Sequence, residues 1–166
     1  MKILSTNIYV GPNVFARFPV IRHVIDLGIL EDWPTRKLGK PFTNALVEAL
    51  PGLKEHGCSF REEGGFIRRM TEDEGTWLGH VWEHVAIELQ NIAGSDVTFG
   101  KTRSTGKKGQ YNMVFQYLQR NVGREASELA RTLILSLLPK ELQSEINGVK
   151  ADFNFEEARD EFIRYA

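Results

Sequence analysis

Three residues near the middle of the chain have the types and spacing of a metal-dependent hydrolytic site. His80, Glu83 and His84 stand in an H-x-x-E-H arrangement within Gly75 to Gln90, a segment that otherwise reads as a helix. At ~100° per residue, four residues come round to within ~40° of the start. The two imidazoles therefore project from one face about a turn apart and can grip one cation from the same side. Glu83, beside His84, can hold or deprotonate a water molecule there. The pattern is the reverse of the zinc-protease motif H-E-x-x-H and asks the same chemistry of each residue. The alternative account is a pair of hydrogen-bonded histidines at the edge of a core. A catalytic zinc takes three protein ligands and one open position. Glu88, four residues past His84 with its side chain slanting back along the helix, is the candidate third ligand. A carboxylate or histidine from another segment, Glu62, Glu63 or His23, is the alternative.

The surrounding elements must hold these groups. Residues 2–10 and 20–27 carry the β-branched residues of strands and are separated by the turn signal Gly11-Pro12-Asn13. Residues 29–41 read as a polar connection, and Pro41 to Leu50 as a helix started by proline and closed by Pro51-Gly52. His56 falls in a loop and reads as exposed; Cys58 reads as a small buried residue. Phe66 to Met70 reads as a short strand leading to the motif helix, which ends near Ala93-Gly94. Residues 99–109 read as a flexible basic loop that contacts an acidic polymer or as a simply mobile one; Gly100 to Gly106 is one residue too long for a nucleotide P-loop. Residues 111–118 alternate as a strand, and 124–138 have the apolar spacing of a core helix. The order β, β, α, β, α, β, α predicts an α+β fold: a largely antiparallel sheet with helices packed against it, plus a helical C-terminal tail. Residues 1–150 form the expected domain, with 151–166 as a tail or the start of a linker.

The totals narrow the class. A chain of 166 residues with 42% hydrophobic and 26% charged residues is expected to be a single globular domain. A net charge of −1 gives no general attraction to nucleic acid or acidic membranes. The one cysteine excludes an internal disulfide framework and suits a reducing cytoplasm. No signal peptide and no stretch of ~18 apolar residues is present. The expectation is a soluble cytoplasmic protein.

Several ordered motifs then acquire a common meaning. Met1 to Leu4 leading to Gly11-Pro12-Asn13, Glu55 to Ser59, Gly64-Gly65-Phe66 and Gly75 to His84 closely resemble the N-terminal domain of cyanophycin synthetase. The resemblance continues through Ala86 to Gln90, Phe99 to Arg103 and Tyr111 to Phe115, to about residue 138. It implies a bacterial parent ligase, homo-oligomeric, that uses ATP and Mg2+ in an ATP-grasp domain and a Mur-ligase-like domain. The parent's product would be cyanophycin, a poly-aspartate backbone bearing arginine on each side-chain carboxylate. This chain carries no motif of either ligase domain. The resemblance further implies that the N-terminal domain binds the polymer and, in some members, cuts it with a metal-dependent hydrolase to make primer ends. The family's H-x-x-E-H falls on His80, Glu83 and His84, and its later glutamate on Glu88.

A zwitterionic polymer suits a nearly neutral domain with clusters of both signs. Arg68, Arg69, Lys101 and Arg103 are the candidate substrate-binding cations, since arginine pairs with carboxylates in bidentate fashion. Two functions compete. One is a zinc-type hydrolase acting on the cyanophycin backbone, with His80, His84 and Glu88 on the metal and Glu83 as base. The other is a non-catalytic polymer-binding and docking module with a structural or vestigial histidine pair; an unrelated metallopeptidase fragment is a distant third.

Overall fold

Strands β1 (Lys2–Tyr9), β2 (Val20–Asp26), β3 (Gly100–Ser104) and β4 (Gln110–Gln116) form one antiparallel sheet in the order β1-β2-β4-β3 in the computed structural model. The structure describes residues 1–58 and 64–166. Its helices are α1 (Thr35–Ala49), α2 (Gly65–Thr71), α3 (Leu78–Ile92), α4 (Arg120–Ser136), α5 (Lys140–Ser144) and α6 (Phe155–Tyr165). The fold is mixed α+β with a C-terminal helix, as the sequence predicts. No helix among the described residues is long and apolar enough to cross a membrane.

The period-two pattern of β2 sends Ile21, His23 and Ile25 to one face, and all three are buried. On that face lie α3 and α4. Their glycines permit the approach: a Cβ at Gly79 would meet Ile25 Cδ1 at 3.0 Å, and one at Gly123 would meet Ile21 Cδ1 at the same distance. Helix α3 is buried from Leu78 to Gln90 except at half-buried His80, as befits a helix apolar on most sides. Trp82, at its centre, donates its indole N–H to Ser127 O at 2.7 Å and ties α3 to α4. Helix α6 lies on α4 and buries Phe162.

Three local readings are corrected by the structure. Residues 66–70 form α2, not a strand, because Phe66 and Met70 bury together one helical turn apart while Arg68 stays outside. The supposed mobile loop at 99–109 contains β3, whose exposed Lys101 and Arg103 are what an edge strand carries against unwanted pairing. The polar connection at 29–41 contains a turn of 3-10 helix at Gly28–Asp32 and the first part of α1. That helix is interrupted at Gly39, which takes a positive φ of 79°, so Pro41 does sit near the start of its second segment.

Candidate metal centre and hydrolytic site

The entry to α3 is fixed before the site residues begin. Thr35 of α1 donates its hydroxyl to Met70 O at 2.7 Å and accepts Thr76 N–H at 2.9 Å, joining the ends of α2 and α3 in a buried contact. Gly75 has a φ of 77°, and a Cβ there would lie 2.6 Å from Arg36 N, so only glycine suits this position. From that start, α3 presents His80, Glu83, His84 and Ile87 to one cavity of about 890 Å³.

The two rings of the motif face each other. His80 Nε2 and His84 Nε2 are 3.1 Å apart, and Cys58 Sγ lies 3.5 Å from His80 Nε2. One donor atom each from Cys58, His80 and His84 falls within 4.8 Å of the others. These spacings can be tested against a real coordination shell. With Zn–N near ~2.05 Å and Zn–S near ~2.3 Å, a tetrahedron separates two nitrogens by ~3.3 Å and a nitrogen from sulfur by ~3.6 Å. The residues present fit a zinc-type cation with imidazole, imidazole and thiolate donors.

Hydrogen bonds outside this trio bear on where the protons sit. His56 Nε2 is 2.9 Å from Glu88 Oε2, and His56 Nδ1 is 3.0 Å from His84 Nδ1. A carboxylate accepts, so a neutral His56 donates from Nε2 and keeps a lone pair at Nδ1. That lone pair takes His84 Nδ1–H, which leaves His84 Nε2 bare and aimed at His80. On the other side Thr76 Oγ1 is 2.9 Å from His80 Nδ1 and can accept its proton, baring His80 Nε2 as well. Burial drives His80 down to about 4, helped by Arg69 and Arg103; burial and the neighbouring His80 and His56 hold His84 well below its usual range. Both rings are neutral at pH 7. Phe66 lies flat on His84, centroids 3.9 Å apart and planes 14° from parallel, and edge-on to His80 at 5.8 Å.

Glu83 is buried at the cavity wall, between α3 and β3. Its carboxylate accepts the Thr102 hydroxyl at 2.5 Å, and its Oε1 lies 4.0 Å from His84 Nε2. Burial pushes its carboxyl up to about 8, against the lowering effects of Thr102 and Arg103. Two glycines give the acids of α3 their room. A Cβ at Gly100 would lie 2.6 Å from Glu83 Cδ, and one at Gly52 would lie 2.6 Å from Glu88 Cδ.

The sequence reading meets this geometry unevenly. The structure brings His80, Glu83 and His84 together, with Arg69, Lys101 and Arg103 along the same cavity. Glu88 is held at His56, outside the donor trio. Arg68 is on the far side of α2 with Glu72, 3.4 Å away. His23 sits in β2 beside Thr6 and Phe115, apart from the trio. Glu62 and Glu63 lie outside the described residues. His56, read as exposed, is largely covered and hydrogen-bonded at both nitrogens; Cys58, read as a packing residue, offers its thiol to the site. Thr76, Thr102 and Phe66 were also missed. An imidazole and a thiol stand close together in His56-Gly57-Cys58, but nothing local in that run says which site they reach.

Comparison with known proteins gives the lineage. The family described as cyanophycin synthase-like N-terminal domain matches residues 22–139. This chain belongs to that family. It is similar to the cyanophycin synthetase of Geminocystis herdmanii, 41% identical over 140 residues that cover 83% of this chain and 16% of the relative. The cyanophycin synthetase of Crocosphaera subtropica is 40% identical over 158 residues, covering 90% of this chain and 18% of the relative. That of Trichormus variabilis is likewise 40% identical over 158 residues, covering 90% and 17%. The chain thus spans less than a fifth of the length of these curated relatives.

Proposed function

We propose that this cyanophycin synthase-like N-terminal domain binds cyanophycin and hydrolyses its backbone amides, supplying primer ends to an ATP- and Mg2+-dependent ligase of the cytoplasm. The observation that carries this reading is the convergence of Cys58, His80 and His84 beside the buried acid Glu83, in an open cavity with cations along its wall. Cys58, His80 and His84 would hold the cation, and Glu88 would act on His84 through His56. A divalent cation such as zinc supplies Lewis acidity to the scissile carbonyl and a positive charge that favours ionised Glu83. Thr102 fixes Glu83 Oε2, which leaves Oε1 to take the proton of an attacking water. The water oxygen bonds to the carbonyl carbon, the carbon–nitrogen bond breaks, and Glu83 returns the proton to the leaving amine. Arg69, Lys101 and Arg103 complement the polymer's free carboxylates, each contact being weak alone and useful only when several repeats engage together.

The direct test is incubation of the protein with cyanophycin, with and without chelator, alongside Glu83→Gln. Shortening of the polymer by the metal-loaded wild type only is expected; unchanged polymer length there rejects the activity.

A second reading has its own support. The chain of contacts from Glu88 through His56, His84 and His80 to Thr76 can close with ordinary hydrogen bonds, His80 donating from Nε2 to His84. The domain would then be a polymer-binding module with a structural histidine pair. Binding of cyanophycin that survives both chelation and His80→Ala, without cleavage, favours it.

A further inference from the structure

Among the described residues, strand β3 is an edge of the sheet, paired with β4 alone. Gln116 N donates to Phe99 O and Thr105 N donates to Gln110 O, which fixes the parity of the ladder. In an antiparallel pair the residues exchanging hydrogen bonds alternate with residues whose backbone groups point the other way. Phe99, Lys101, Arg103 and Thr105 therefore face β4. Gly100, Thr102 and Ser104 turn their N–H and C=O groups outward. All five residues of β3 border the cavity that holds His80, Glu83 and His84. Along one face of a strand only alternate residues can share a cavity, so a contribution from every residue places the cavity beside the strand's free edge. Thr102 O carries the Arg103 guanidinium at 3.3 Å and keeps a second lone pair.

We infer that β3 receives the substrate as an added strand: an extended peptide backbone pairs with the outward groups of Gly100, Thr102 and Ser104 and so lies across the donor trio and Glu83. Main-chain hydrogen bonds supply affinity in this mode, and side-chain positions supply selection. Lys101 and Arg103 share the face opposite Thr102, about 6.8 Å apart along the strand. The same repeat separates alternate side chains of a paired strand, so the two cations meet acid groups on every second residue of the guest. This deepens the proposed function and rests on it. The fitting substrate is a polypeptide in extended form that bears a free carboxylate on regularly repeated side chains, and one-sided pairing over three outward residues spans about 14 Å, or five guest residues.

The test is calorimetric titration of the Glu83→Gln protein with synthetic eight-residue oligomers of arginyl-substituted aspartate. Three versions are compared: unmodified, N-methylated at alternate residues, and N-methylated throughout. Alternate methylation blocks one edge of an extended strand and spares the other. The expectation is that the first two bind equally, within about twofold, and the third at least tenfold more weakly. Ser104→Pro, which removes an outward N–H at an edge position that tolerates proline, is expected to weaken binding of the first two oligomers by a similar factor, provided its melting temperature matches the parent's. Equal binding of all three oligomers, or loss for both methylated ones, overturns backbone pairing on one edge and leaves polymer recognition intact. Failure of the unmodified oligomer to bind overturns polymer recognition itself.

Discussion

The Thr102 hydroxyl donates to Glu83 Oε2 across 2.5 Å, so the acid on α3 is positioned by the edge strand as much as by its own helix. Gly100, two residues earlier on β3, gives that carboxylate its space.

Gly100→Ala should separate placement of the acid from its presence. The new methyl must displace Glu83, and a misplacement of about 1 Å costs on the order of a hundredfold in rate. Overpacking should also lower stability by about 1–3 kcal/mol. Cleavage rate and thermal melting, measured together, check both; an unaltered rate would mean that Glu83 is not the base.

Removing the groups behind His84 should weaken cation binding without abolishing it. His56→Ala and Glu88→Gln are expected to reduce zinc affinity about 10- to 100-fold, the range for partners that orient a ligating histidine. Competition against a chromophoric chelator measures this. A loss from Glu88→Gln as severe as that from His84→Ala would instead make Glu88 a direct ligand.

The metal-free protein should lose stability as pH rises from 6.5 to 8. Glu83 titrates at about 8 folded against 4.5 in the free residue, so the folded state holds the extra proton and the stability it confers is lost as pH climbs through that window. His80 and His23, each lowered to about 4, act with the opposite sign and at lower pH: their contribution is present above 6.5 and lost as pH falls toward 4. Melting of chelated protein between pH 6.5 and 8 should therefore fall with pH in wild type relative to Glu83→Gln, which keeps only the opposing effect of the buried N-terminal ammonium, lowered from 8.0.

Trp82→Phe tests the scaffold independently of the chemistry. It keeps most of the buried ring and removes the indole N–H that Ser127 O accepts beside its helical bond, at a cost of about 0.5–1.5 kcal/mol. Denaturant unfolding should show that loss with zinc affinity unchanged.

How much of this was legible in the sequence follows from the range of the interactions. The helical period alone puts His80, Glu83 and His84 on one stripe, and alternation suffices for β2 and β4. Phe66 to Met70 was ambiguous because a spacing of four satisfies both periods; Arg68 breaks the tie, since a strand would bury it with Phe66 and Met70. β3 shows no apolar alternation because its inward positions, Gly100 and Thr102, meet a carboxylate rather than a hydrophobic core. Cys58 and His56 escaped because they reach the site from a loop more than twenty residues upstream, and no local pattern encodes that meeting.

The short reversal between Ser104 and Gln110 has an effect at a distance. Side chains along a strand change sides with every residue, so inserting or deleting a single position there would slide β3 by one step and bring Phe99 or Lys101 to the acid in place of Gly100. A bulky ring would evict the carboxylate, and an ammonium group would clamp it. The length of a turn remote from the histidines thus acts as a gauge for the reactivity of Glu83, and changes in that length are a route by which relatives could be silenced while every motif residue stays in place.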